Sequence, residues 1–450
     1  MGGMYGNNSA GERTLKYGKT ENYILESKVV FGDGNEYIVR PLSQAGLEKK
    51  IAQGDYEGEI YKKIYNLIKE NKEELKQAKP KVSKNSAGYY IWNVMDSENK
   101  ENSWSLFHPS DGSGRLENSP YYPSQAENYF DLNKLLVGSQ GTLGIVTEIT
   151  FRIIPDLKHN KLVAIFLKDL SPLGRLVEEI RALNPETLET YDDKTMKLAV
   201  RFFFDFLKNK GFIGMMKFML SFLPEAFIMA TGGFPKLIIL AEFAGGNEAE
   251  VQAKCEALEK KIEHFKLKVH ITRNQTESNK YWDIRRESFA LLRKHVSGKH
   301  TAPFIDDIIV RPEFLPKFLP ELKTILNQYK ITFTIAGHAG DGNFHIIPLM
   351  DFKRSDTPKI ILELGEKVYD LVAKYRGSIT AEHNDGLIRT PYLNKMYQTH
   401  ILSLFKDIKN IFDPKNILNP GKKVAFANQA GTIDYISKHI AREHKAVHKV

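Results

Sequence analysis

Apolar runs at 23–31 and 36–41 flank Gly32-Asp33-Gly34, a pattern that predicts two strands joined by a hairpin. Residues 45–78 are charged with helical spacing, and residues 1–20, rich in Gly, Asn and Ser, read as a loop. Ser, Asn, Pro and Gly crowd 97–128, which reads as an insertion or long loop. The stretch 135–155 is a glycine turn running into an apolar strand. From about 160 to 400, strand-like runs near 161–167, 237–243, 305–311, 331–337 and 343–349 alternate with helical spacing at 171–183, 247–264, 312–328 and 357–375. That alternation predicts an α+β sheet domain covered by helices. Pro414, Pro420 and Gly421 close a short segment before a basic helical tail, and no internal repeat is visible.

At 450 residues the chain is too long for one ordinary core, and 42% hydrophobic residues is enough to fill two or three. The most apolar stretch, 211–230, contains Lys217, Pro224 and Glu225. It therefore reads as a buried or interface helix pair, or a surface-lying one, and not as a spanning helix. The single cysteine, Cys255, excludes an internal disulfide framework and an iron–sulfur cluster held by this chain alone. The net charge of +9 is spread along the chain, with no zinc-finger spacing or RNA-recognition signature, so no nucleic-acid partner is expected. The N-terminus has neither the charged nor the apolar region of a signal peptide. A cytoplasmic protein is expected, or one peripheral on the inner face of the membrane.

Five segments could carry chemistry. In Gly138-Ser-Gln-Gly-Thr-Leu-Gly144 the glycines let backbone N–H groups approach a phosphate or ring carbonyl; the alternative is a plain turn into a strand. The segment around Gly2, Gly3, Asn8, Ser9 and Gly11 reads as an anion-binding nest or an ordinary loop. In Gly337-His-Ala-Gly-Asp-Gly-Asn-Phe-His345 the apolar flanks predict a hairpin, which sets His338 and His345 across from each other. With Glu382, from Ser378-Ile-Thr-Ala-Glu-His-Asn-Asp-Gly386, they would make an open divalent-metal site, and the adjacent His383 could act as a general base. Taken singly, each histidine could equally be a satisfied core or surface residue. Arg285, in Trp282-Asp-Ile-Arg285, could hold a substrate carboxylate bidentately or form a surface salt bridge. The last segment, Phe412-Asp-Pro-Lys-Asn-Ile-Leu-Asn-Pro-Gly-Lys422, could be a helix stop and turn.

Taken together and in order, VGSQGTLGIVTE, GHAGDGNFH, TAEH and FDPKNILNPGK resemble the FAD-linked oxidases of the vanillyl-alcohol oxidase superfamily. D-lactate, glycolate and D-2-hydroxyglutarate dehydrogenases are members of that group. The resemblance covers roughly 1–155 and 237–425. It implies an α+β protein: a PCMH-type FAD-binding domain in 1–155, with an insertion near 97–130, and a cap domain with an antiparallel sheet in 156–399, with an apolar insertion near 201–236. A return to the flavin domain at 400–425 and a basic tail at 426–450 complete the expected organisation.

The implied activity is metal-assisted oxidation of a D-lactate-like 2-hydroxy acid to the 2-oxo acid, with hydride transfer to flavin N5. An unidentified acceptor (quinone, flavoprotein or cytochrome) would take the electrons. The implied cofactors are FAD and a divalent metal, zinc in the first instance. Gly2, Gly3, Asn8, Ser9, Gly11, Gly138, Gly141, Thr142, Gly144, Ile145, Asn419 and Lys422 match cofactor-binding positions. His338, His345 and Glu382 match metal ligands, His383 the base, and Arg285 and Asn343 substrate contacts. Two residues depart from the pattern: Gln140 stands where Glu is common, and Phe289 where a polar contact is expected. The family's first, RGGGTS-like phosphate loop has no counterpart here. A misplaced start, a split gene completed by a separate chain, or a truncation is therefore expected, with FAD bound weakly by this chain alone. The corresponding alternative is a non-catalytic remnant that binds metal or a partner chain.

Overall fold

A computed structural model describes residues 1–96, 129–201, 233–295, 298–426 and 429–446. The expected insertions at 97–130 and 201–236 lie largely outside the described residues, as does the side chain of Phe289. The chain divides into two units. One comprises Met1–Ala10, Tyr17–Ile154 and Thr380–Ile440; the other comprises Gly11–Lys16 and Pro155–Ile379, with the chain end from Ala441. The segment carrying Glu382 and His383 thus groups with the first unit, ahead of the return expected at 400.

The first unit contains a three-stranded antiparallel sheet and a smaller one. Strands β1 (Ile24–Val30) and β2 (Glu36–Val39) form the expected hairpin, with Gly34 at φ +88 in its turn. The smaller sheet is built from β3 (Leu42–Ser43), β4 (Met95–Asp96) and β5 (Tyr129–Phe130). Strand β6 (Ile145–Phe151) pairs with the other side of β1. The helix Tyr56–Glu70 starts at Asp55, whose side chain accepts from the Gly58 N–H. It buries Ile60, Tyr61, Ile64, Leu67 and Ile68, one apolar stripe, and packs with the helix Thr399–Phe412. Gly88 meets that second helix at φ +68, where a Cβ would lie 2.2 Å from the Phe405 ring. No larger residue fits there.

Residues 1–20 do not form the expected loop. Gly2–Asn7 is a short helix despite its glycines, because Tyr5 is buried and its hydroxyl lies 3.2 Å from Ser27 Oγ. Tertiary anchoring here outweighs weak helix propensity. Asn8 ends the helix in the left-handed region at φ 49.

The second unit is one antiparallel sheet with helices on it. Its strands are β7 (His159–Leu167), β8 (Thr187–Asp192), β9 (Leu237–Gly245), β10 (Lys268–Ile271), β11 (His300–Thr301), β12 (Ile308–Ile309), β13 (Thr332–His338) and β14 (Asn343–Met350). They run in the order β10-β7-β9-β8-β13-β14-β11, with β12 also on β14. Register partners share a face of an antiparallel sheet. The pairs Ala336↔His345, His338↔Asn343 and Ala336↔Tyr191 therefore put His338, Asn343, His345, Glu189 and Tyr191 on one face. The helix Gln275–His295 covers that face: its Tyr281, Trp282 and Ile284 join Leu162, Ala164, Tyr191, Leu240 and Ala336 in one core. Of the strands expected, 305–311 shrinks to the two residues of β12, and β8 and β10 appear where none was expected.

Candidate active site

The hairpin of β13 and β14 is built around a turn that requires glycine. Gly342 adopts φ +75, and a Cβ there would lie 1.9 Å from Val310 O. The backbone bonds Asp341 N–H to His338 O and Gly342 N–H to Ala339 O close the turn. His338 and His345 leave it on neighbouring strands, both less than a tenth exposed. Their Nε2 atoms lie 3.3 Å apart, with the rings nearly perpendicular at 88°.

Each ring is held from behind by a carboxylate. Glu189 Oε1 lies 2.5 Å from His338 Nδ1, and Asp306 Oδ1 lies 3.0 Å from His345 Nδ1. A carboxylate accepts, so each Nδ1 carries a proton, and in the neutral form of each ring Nε2 is then an acceptor. Two neutral imidazoles in this arrangement could ligate one cation. Two nitrogens about 2.0–2.1 Å from one tetrahedral zinc stand about 3.3–3.4 Å apart. The observed spacing fits this, and the carboxylate–histidine backing is what orients metal-bound imidazoles.

Arg285 comes from the covering helix, where Ser278, Tyr281, Trp282 and Arg285 form its buried stripe. Its Nη2 lies 3.2 Å from Glu189 Oε2, so the arginine is buried and is not the surface salt bridge. Asn343 Nδ2 donates to Asp307 Oδ1 and to Ile308 O, each at 3.1 Å. Two acceptors fix the amide's orientation, and Asn343 Oδ1 is left buried without a hydrogen-bond partner among the described residues. Glu189, Asp306 and Asp307 against Arg285 leave two negative charges among these side chains when the imidazoles are neutral. That balance suits a divalent cation. None of the three carboxylates stands in a motif that marks it in the sequence.

Glu382 and His383 lie in the first unit. Glu382 is buried, with Lys84 Nζ 2.5 Å from its Oε1, whereas His383 is exposed. Around them the glycine-rich segments of that unit converge. Gln140 N–H donates to Gly6 O, and its side-chain Oε1 accepts from Gly386 N–H at 3.1 Å. Asn419 Nδ2 donates to Gln140 O, and Asn384 Nδ2 donates to Asn7 O.

The candidate cofactor residues divide by exposure. Gly141, in open space at φ +68, and the apolar Ile145 are both exposed. Asn419 is also exposed, and a Cβ on Gly2 or Gly3 would meet nothing. Thr142 is fully buried, bonded to Tyr89 OH at 2.7 Å and to Ser139 O. A Cβ on Gly144 would strike Val29, and one on Gly138 would crowd Asn8, so these glycines serve packing within the unit. Asn8 Oδ1 accepts from Glu21 N–H, and Ser9 O accepts from Thr20. Gly11 falls in the second unit, where its N–H donates to Thr14 Oγ1. Lys422 Nζ donates to Pro420 O, whereas the neighbouring Lys423 is the buried one, its Nζ 2.7 Å from Ser86 O and 2.8 Å from Gly88 O.

The first unit thus carries glycine-rich turns and a three-stranded sheet, and the second an antiparallel sheet with a buried histidine pair. Residues 157–423 match the FAD linked oxidases, C-terminal domain, and the chain belongs to that family. It is 26% identical over 429 residues to a D-2-hydroxyglutarate dehydrogenase of Pseudomonas putida, covering 94% of this chain and 38% of that protein. It is 28% identical over 300 residues to the glycolate oxidase subunit GlcD of Bacillus subtilis, covering 66% of this chain and 57% of that protein. The chain thus spans 38% and 57% of the lengths of these two curated relatives. Among solved structures, 4-ethylphenol oxidase from Gulosibacter chungangensis shares the fold at TM-score 0.54 and 14% identity, covering 91% of this chain and 67% of that one. An alkyldihydroxyacetonephosphate synthase does so at TM-score 0.54 and 13% identity, covering 94% and 58%. Among the described residues, no helix is long and apolar enough to cross a membrane.

Proposed function

We propose that this chain carries the substrate-binding and part of the flavin-binding machinery of a dehydrogenase that oxidises a small 2-hydroxy acid to the 2-oxo acid. The observation that carries this reading is the pair of carboxylate-backed histidines, His338 and His345, beside a buried arginine. The names of the two curated relatives, each an enzyme of a 2-hydroxy acid, support the same substrate class.

His338 and His345 hold a divalent metal, zinc in the first instance, and Glu382 is proposed as a third ligand on the strength of the Thr380–His383 motif. A metal held there would supply Lewis acidity, making the substrate hydroxyl more acidic. Arg285 orients the substrate carboxylate, and Asn343 Oδ1, a buried acceptor in need of a donor, accepts from a water that bridges to the substrate. His383, exposed and therefore accessible, takes the hydroxyl proton. FAD supplies the hydride acceptor. Gly2, Gly3, Gly141, Ile145 and Asn419 are the residues proposed to line it, and the electron acceptor that would reoxidise it is not identified by these residues.

The test is to supply the purified protein with FAD, an artificial electron-accepting dye and, in turn, glycolate, D-lactate and D-2-hydroxyglutarate. Dye reduction with one of these acids, abolished by a chelator and restored by zinc, is the expected result. Oxidation that is indifferent to the chelator would remove the metal from the reading.

A further inference from the structure

We infer that Glu189 is a positioning residue that aims the His338 imidazole and the Arg285 guanidinium with one carboxylate, coupling metal affinity to substrate affinity. This deepens the function proposed above and rests on it for the identity of the two ligands. Glu189 sits on β8 in the middle of the sheet and is fully buried. Its two oxygens serve two elements: Oε1 meets His338 on β13, and Oε2 meets Arg285 on the covering helix. A buried carboxylate must be compensated, and here the compensation comes from the group proposed to bind substrate. Because Oε1 can only accept, it fixes His338 as the Nδ1–H tautomer and turns the Nε2 lone pair toward His345. Oε2 lies 3.2 Å from Arg285 Nη2 as an ion pair without hydrogen-bond geometry, so the guanidinium's placement depends on the charge of the same side chain. Rotation of Glu189 would misdirect both groups at once.

The two roles separate chemically. In Glu189→Gln the amide oxygen can still accept from His338 Nδ1–H, but its NH2 opposes the donors of Arg285. In Glu189→Ala both contacts are lost. The experiment uses the full chain. Zinc affinity is measured by chelator competition, binding of D-lactate and D-2-hydroxyglutarate to zinc-loaded protein by calorimetry, and the His338 tautomer by 15N NMR of labelled histidine.

Glu189→Ala should weaken zinc about 10- to 100-fold, as loss of a histidine's backing partner generally does. Glu189→Gln should hold zinc to within about 10-fold of wild type yet weaken the hydroxy acid more strongly, a split that general destabilisation would not produce. In wild type the His338 ring should be the Nδ1–H tautomer, and in Glu189→Ala it should lose that preference. Wild-type zinc affinity in Glu189→Ala, or an Nε2–H tautomer in wild type, overturns the inference. A wild type that binds no zinc overturns the metal reading and the coupling with it, and a tautomer change then leaves Glu189 only as the group that orients His338. If Glu189→Ala does not fold, the Gln variant alone decides: hydroxy-acid affinity unchanged in it refutes the coupling.

Discussion

Removing Lys423 should destabilise the first unit severely, and the structure sets the scale. The ammonium is fully enclosed. It donates to Ser86 O and Gly88 O, to Asn384 Oδ1, and to Asp385 Oδ2 at 3.1 Å. Asp385 is itself fully buried; Oδ2 also accepts from Gly88 N–H, and Oδ1 has no hydrogen-bond partner among the described residues. Lys423→Met therefore strands a buried carboxylate and three acceptors. Breaking a buried pair from one side costs about 3–5 kcal/mol. For a cooperative unit of this size, about 2–4 °C per kcal/mol gives a fall of about 6–20 °C in melting temperature. Thermal unfolding followed by near-UV circular dichroism reads this directly. Adding Asp385→Asn should return about 2 kcal/mol, since the stranded charge is then gone. A single-mutant loss below about 1 kcal/mol would refute the claim that Lys423 compensates Asp385.

Three other outcomes follow from the same geometry. Gly342→Ala forces an L residue into φ +75 against Val310 O; the backbone alone costs about 1–2 kcal/mol, and zinc affinity should fall as the hairpin distorts, which calorimetry on the variant checks. His383→Asn should leave zinc content unchanged while turnover of the hydroxy acid drops ~10²-fold or more, and unchanged turnover would remove His383 as the base. Burial pushes the Glu277 carboxyl up, but the Arg273 N–H and guanidinium and the His270 ring outweigh it and hold it at about 2. Its folded pKa is thus below the unfolded one, so its stabilisation is present above the unfolded pKa and lost as pH falls; Glu277→Gln should flatten the loss of stability between about pH 5 and about pH 2 in denaturant melts.

The hairpin bearing His338 and His345 was legible because apolar runs on both sides fix its register and glycines mark its turn. Arg285 was legible only as a motif, since nothing local tells a buried arginine from a surface one. Glu189 was not legible. Strand β8 reads Thr-Leu-Glu-Thr-Tyr-Asp and is buried on both faces, so its polar positions give no period-2 contrast. Its partner His338 lies 149 positions away. Lys84 and Glu382, 298 positions apart, are likewise joined by tertiary structure that no local pattern encodes. The helix Gly2–Asn7 was misread as a loop because composition cannot register the burial of Tyr5.

The most direct test of the central claim is titration of the metal-free protein with Co²⁺ while its visible absorption is recorded. One equivalent of cobalt should bind, with the intense d–d bands of a low-coordinate imidazole-bound ion, displaced by zinc and absent in His345→Ala. Bands of undiminished intensity in His345→Ala, or no binding by wild type, would contradict it.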